Sequence, residues 1–174
     1  AVAALVDSWS PDFIITTGDN SYGSTAIDDN IGKYFSDYIG KYIGAYGSGS
    51  LTDRFFPSIG NHDYTDGGGI TAHYNYFTLP GNERYYDFVR GPVHFFALDS
   101  DSREPDGNNR ASIQAQWLRD ALAASESPWK IVYFHHAAYS SARHGNTDWM
   151  QWPFAEWGAS AVLAGHDHVY ERLE

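Results

Sequence analysis

The chain contains no cysteine, which excludes disulfides, thiolate metal sites and cysteine nucleophiles together. Basic residues are scarce as well: 11 Lys and Arg stand against 22 Asp and Glu, a formal net charge of −11. So acidic a balance disfavours a groove that tracks nucleic-acid phosphates, and an anionic substrate needs a local attractor. No apolar run approaches the ~20 residues that cross a bilayer. Asn-x-Ser/Thr acceptors, internal repeats, low-complexity tracts and linkers are missing too. With 43% hydrophobic and 19% charged residues among 174, disorder and coiled-coil classes are out, and one domain over residues 1–174 is expected. Its ends read as cut from a longer protein. Val2, Leu5, Val6 and Trp9 recur at helical spacing from the first residues, and Glu174 follows without a turn.

Four short apolar runs organise what is present. Phe13-Ile14-Ile15-Thr16 leads into Gly18-Asp19, and Phe55-Phe56-Pro57-Ser58-Ile59 into Gly60-Asn61-His62-Asp63. Ile131-Val132-Tyr133-Phe134 leads into His135-His136, and Ala161-Val162-Leu163-Ala164 into Gly165-His166-Asp167-His168. Each reads as a buried strand that finishes in metal-capable side chains. Helical stripes are expected over Ile27–Tyr42, weakened by Gly32 and Gly40, and over Ile113–Leu122. Residues 85–90 and 93–99 read as a hairpin around Gly91-Pro92. The order is mixed α/β, and in open α/β sheets the ligand site lies beyond the carboxyl ends of the strands, where all four clusters fall.

Asp19 offers two hard oxygens and can bridge two cations, Asn61 offers an amide oxygen, and His135, His166 and His168 offer imidazole nitrogen. Tyr22 follows Asp19 closely enough in a loop to share its ion. This mixed set suits iron, zinc or manganese better than calcium. Taken singly, a Gly-Asp after a strand is turn chemistry and a lone histidine is a surface or hydrogen-bonded residue. His73 and His94 stay with that plain reading, whereas four strand ends carrying such groups do not. The Asp99–Gly107 loop is not a calcium loop, because its glycine comes three places late and Arg110 stands where a bidentate glutamate is required.

Gly18-Asp19-Asn20-Ser21-Tyr22, Gly60-Asn61-His62-Asp63, Val132-Tyr133-Phe134-His135 and Gly165-His166-Asp167-His168 match, in order, four of the five motifs of the purple acid phosphatases. Those motifs are GDxxY, GNH followed by an acid, VxxH and GHxH, within the calcineurin-like metallophosphoesterase superfamily. The first motif, GDxG with its aspartate ligand, is absent from the chain. The resemblance implies a four-layer αββα sandwich whose first strand and C-terminal strands lie outside the chain. It makes Asp19 the bridge between two metal ions. Tyr22 and His168 would hold Fe(III), and Asn61, His135 and His166 a divalent Fe, Zn or Mn.

The same resemblance implies an acid phosphatase that hydrolyses small phosphate monoesters by attack of a metal-bound hydroxide. His62 would hydrogen-bond a phosphoryl oxygen or the attacking hydroxide, and His144, nine residues past His135, would protonate the leaving group. His136 is the weaker candidate for that role, because its neighbour is a ligand and adjacent strand residues point apart. A phosphodiesterase or nucleotidase of the same superfamily is an alternative, and a metal-stabilised binding module that uses the 13 tyrosines and six tryptophans is another. No nucleic-acid or membrane partner is expected, and a secreted or periplasmic location is.

Overall fold

The computed structural model describes residues 2–174. Two short parallel strands, β1 (Ile14–Thr16) and β2 (Phe55–Pro57), pair with Ile14 opposite Phe55. A larger sheet runs in the order β3–β4–β5–β6. In it, β3 (Tyr86–Arg90) and β4 (Val93–Ala97) form the expected hairpin, and β5 (Trp129–His136) and β6 (Ala161–Gly165) add in parallel.

Period-two alternation decides what each face buries. On one face of the large sheet Phe88, Phe95 and Tyr133 meet Phe56 of the small sheet and Phe13 just ahead of it, and the rings of Phe56 and Phe88 stack at 3.9 Å. Tyr86 and Tyr133 reach this core as well and donate their hydroxyls to the Pro57 and Phe56 carbonyls. On the other face Phe96, Val132 and Phe134 pack on Leu118 and Leu122 of a long helix, Ile113–Ala124, which Ser112 caps by accepting from the Ala115 N–H. These five side chains are fully buried, each contributing about 1.5–3 kcal/mol of apolar burial. Ile27, Ile31, Tyr38, Ile39, Tyr76 and Phe77 cover the small sheet. The layers are helix, sheet, sheet, helix, the mixed α/β sandwich that the motifs imply.

The short helix Val2–Ser8 buries none of its residues. The stripe over Ile27–Tyr42 does not form one helix. It breaks into a π turn (Asp28–Gly32), a single α turn (Lys33–Phe35) and a 3-10 turn (Ser36–Tyr38), after which Ile39 is extended. Asp28 is the cause. Its carboxylate accepts from the Tyr42 and Tyr76 hydroxyls and the Ala45 N–H, so it holds the following loop against the helix start. The bare Gly32 leaves room for that carboxylate, which a Cβ would overlap. The apolar run of β6 is also not buried as expected. It is an edge strand, and Val162 and Leu163 are 38% and 42% exposed.

His94 is held by Ser125 and Asp87, as its plain reading requires. His73, on the helix Gly69–Tyr76, is different: it is fully buried against Phe77 and neither ring nitrogen has a partner among the described residues. Desolvation pushes its pKa down to about 3. The unfolded chain therefore takes up a proton below pH 6.5 that the folded chain refuses, and stability falls as pH drops from about 6.5 towards 3. At pH 5 the loss is about 2 kcal/mol. His73→Leu should raise the melting temperature, with a larger gain at pH 5 than at pH 7.5. Equal gains in thermal scans at both pH values would show that this ring is not held neutral.

Candidate metal centre

The four strand ends meet at one edge of the sandwich, where a cleft of ≈ 510 Å³ is lined by Asp19, Tyr22, His135, His166 and His168 among others. Backbone geometry brings them together. Asp19 and His166 both sit at positive φ, +53° and +68°, which turns the chain sharply just after β1 and β6. Gly18 and Gly60 let the turns close: a Cβ on Gly18 would lie 2.7 Å from His135, and one on Gly60 would overlap Asp19. Asn61 opens a helical turn (Asn61–Thr65) anchored by Asp63, which accepts from the Gly60 and Ser21 N–H groups and from the Asn20 amide. Burial raises the Asp63 pKa to about 6.

His135 Nε2 is the hub. It lies 3.1 Å from Asn61 Oδ1, 3.1 Å from His166 Nδ1 and 3.2 Å from Asp19 Oδ2. Its Nδ1 lies 2.7 Å from the Thr17 carbonyl, an acceptor that orients the ring and places the proton on that side. Tyr22 donates to Asp19 Oδ2 at 2.9 Å, and its oxygen lies 3.4 Å from His168 Nε2. A ring nitrogen carries at most one proton, while carboxylate and amide oxygens bring only lone pairs. Electron-rich atoms gathered at hydrogen-bond distance with too few protons are what a cation satisfies, and a carboxylate, a phenol, an amide oxygen and three imidazoles are hard to borderline ligands. The residues present thus fit metal ions.

The electrostatics agree. Burial works against the Asp19 carboxylate, but hydrogen bonding and charge from His135, the His62 N–H and the Tyr22 hydroxyl bring its pKa down to about 2. Burial and Asp19 push the Tyr22 phenol up to about 12, so it stays neutral until a cation displaces its proton. Burial lowers the pKa of His136 to about 4, helped by His135 and His166.

Both histidines expected to act on substrate stand at the rim. The His62 ring lies 4.5 Å from the Tyr22 ring, and its Nδ1 lies 2.7 Å from Asp66 Oδ2, which fixes its orientation. The His144 ring is 4.1 Å from that of His166. Asp167, between two proposed ligands, accepts from the His144 N–H at 2.9 Å and the Ser140 hydroxyl at 2.6 Å, and so clamps the loop that carries His144. The sequence alone does not mark Asp66 or Asp167 as site residues. The four-residue spacing from His62 could have indicated the first; only the fold shows the second.

His136 departs from expectation. The pairing of β5 with β6 shifts between Tyr133 and His136, placing one extra residue on β5. This bulge breaks the alternation that would turn His136 away. Its ring lies 4.9 Å from His135 and 4.6 Å from His166, and each of the three rings offers a nitrogen within 4.8 Å of the others'. The Asp99–Gly107 loop holds no open cation site, since Tyr64 donates to Asp99 while Arg103 pairs with Asp101 and Arg84 with Glu104 and Asp106. No helix among the described residues is long and apolar enough to cross a membrane.

Residues 1–170 match the calcineurin-like phosphoesterase family. The chain is 28% identical over 191 residues to purple acid phosphatase 17 of Arabidopsis thaliana, covering 93% of this chain and 54% of the relative. It is 26% identical over 201 residues to the mouse (Mus musculus) tartrate-resistant acid phosphatase type 5, covering 99% and 60%. It thus spans somewhat over half the length of these relatives. A purple acid phosphatase structure from yellow lupin (Lupinus luteus) seeds superimposes with a TM-score of 0.53 at 18% identity, over 70% of this chain and 27% of that one, a likeness of fold. With the family match spanning nearly its whole length and the four strand-end motifs gathered at one cleft, the chain belongs to the calcineurin-like phosphoesterases.

Proposed function

We propose that the chain carries the binuclear centre of an acid phosphatase that hydrolyses small phosphate monoesters. The observation that carries this reading is the crowding of Asn61, His166 and Asp19 around His135 Nε2, with His62 and His144 at the rim outside that cluster. Asp19 would bridge the two ions. Tyr22 and His168 would serve a ferric ion, which favours an anionic phenolate, and Asn61, His135 and His166 a divalent iron, zinc or manganese. Such a pair supplies charge to offset the phosphoryl oxygens and lowers the pKa of water.

The chain's own residues do the rest. Asp66 occupies Nδ1 of His62, which leaves Nε2 to meet a phosphoryl oxygen. Neither ring nitrogen of His144 has a partner among the described residues, so this ring can give its proton to the departing oxygen while Asp167 holds its backbone. Ions held there would also offset the net −11 locally, so that a dianionic ester could approach an acidic protein.

Turnover of phosphate monoesters well above diesters by the metal-loaded protein tests this reading. The reverse preference would move it to a diesterase, and bound metal without turnover to a binding module. Colour gives an independent check. A tyrosinate on Fe(III) absorbs in the visible, so the oxidised, iron-loaded protein should be pink to purple and Tyr22→Phe should bleach it. A colourless wild type with iron bound and oxidised would remove Tyr22 from the ligand set.

A further inference from the structure

The bulge in β5 brings a second imidazole of that strand to within 4.6 Å of the His166 ring, which lines the cleft, and its tautomer follows from hydrogen-bond accounting. Ser100 is fully buried. Its Oγ accepts from the His136 N–H at 2.9 Å and lies 2.9 Å from His136 Nδ1. No other acceptor for the hydroxyl proton exists among the described residues, so Oγ–H donates to Nδ1; the opposite assignment would strand a buried hydroxyl proton. A neutral imidazole whose Nδ1 accepts carries its proton on Nε2.

That Nε2 has no protein partner, yet the buried ring nitrogens without one are those of His73 alone among the described residues, so the His136 Nε2 keeps contact with solvent. The Ser100 backbone is held as well. Its carbonyl accepts from the Trp149 indole N–H at 3.0 Å and from the Asn108 amide at 3.1 Å. A nitrogen that bears its proton has no lone pair for a cation. His136 is therefore a fixed donor beside the ligands and not one more ligand, although its ring belongs to the same three-histidine cluster.

We propose that His136 is a substrate-binding residue whose Nε2–H donates a hydrogen bond to a non-bridging oxygen of the bound phosphoryl group, in the tautomer that Ser100 imposes. This rests on the phosphatase reading above. A donor already oriented by the fold needs no reorganisation when the anion arrives, the condition under which such bonds bind most strongly.

The test uses full-length, metal-loaded protein and inorganic phosphate, with binding measured by titration calorimetry and metals by elemental analysis. His136→Ala should weaken phosphate about 10- to 100-fold, the worth of a hydrogen bond to a charged group. It should raise KM for a monoester more than it lowers kcat and leave the metal content unchanged. His136→Gln, whose amide N–H reaches a similar position, should recover part of the affinity, and Ser100→Ala should lose part of it. Phosphate affinity within twofold of wild type in His136→Ala overturns the proposal, as does loss of one metal ion, which would make His136 a ligand. Failure of the phosphatase reading shows separately, as metal-loaded wild type that neither binds phosphate nor turns over a monoester.

Discussion

Replacing His135 by alanine should reduce the metal content of the full-length protein towards one ion per chain and its turnover roughly a thousandfold or more. Asn61 Oδ1, Asp19 Oδ2 and His166 Nδ1 converge on His135 Nε2, and the ring is 2% exposed, wedged against Gly18. Its loss removes an imidazole and leaves an opening next to Asp19. Asp19 Oδ2 lies 3.2 Å from the same nitrogen, so the proposed bridging carboxylate loses a neighbouring imidazole as well. A cation's contribution to phosphoryl transfer is several kcal/mol, and each 1.4 kcal/mol is about tenfold in rate. Elemental analysis beside steady-state kinetics checks this. Two tightly bound metals in His135→Ala would remove His135 from the ligand set.

His144→Ala should discriminate between esters. Expelling an alkoxide demands a proton as the P–O bond breaks, and a positioned general acid is worth about 10²–10⁴ in rate. A nitrophenolate leaves without that help. Alkyl phosphates should therefore slow by about 10²–10⁴, p-nitrophenyl phosphate far less, and metal content should not change. Its ring adjoins His166 but its backbone hangs from Asp167, so alanine leaves the clamp intact. Equal slowing of both ester types would show that His144 binds phosphate or shapes the loop, and would pass the acid role to His62 or to a water molecule.

Local chemistry made the strand ends legible. An apolar run followed by Gly-Asp, Gly-Asn-His or Gly-His-Asp-His states both a strand and its terminus, and the hairpin around Gly91-Pro92 and the helix behind Ser112 are equally local. What stayed hidden depends on distant partners. The stripe from Ile27 to Tyr42 has helical period, but Asp28 meets Tyr42 and Tyr76 across 14 and 48 residues of chain and breaks it. The facing of His136 hinges on one extra residue in a pairing with β6, and no feature of His135-His136 announces a bulge. Asp167 looks like a spacer between two histidines until Ser140 and His144 arrive from another loop. The apolar residues of β6 spell a buried strand, whereas their exposure is set by what lies beside the edge of the sheet.

The close packing of glycines around the proposed ligands has a genetic consequence. A single base change converts a glycine codon into an alanine codon, usually among the mildest of replacements. At Gly18 the added methyl would sit 2.7 Å from the Cβ of His135, at Gly60 it would overlap the backbone of Asp19, and at Gly165 it would lie 2.8 Å from the Thr17 carbonyl that orients His135. None of these obstacles is the free end of a flexible side chain, so each alanine must displace a proposed ligand or its support. The mutational target of this centre is accordingly wider than its list of donors, and includes three codons whose residues offer no side chain at all.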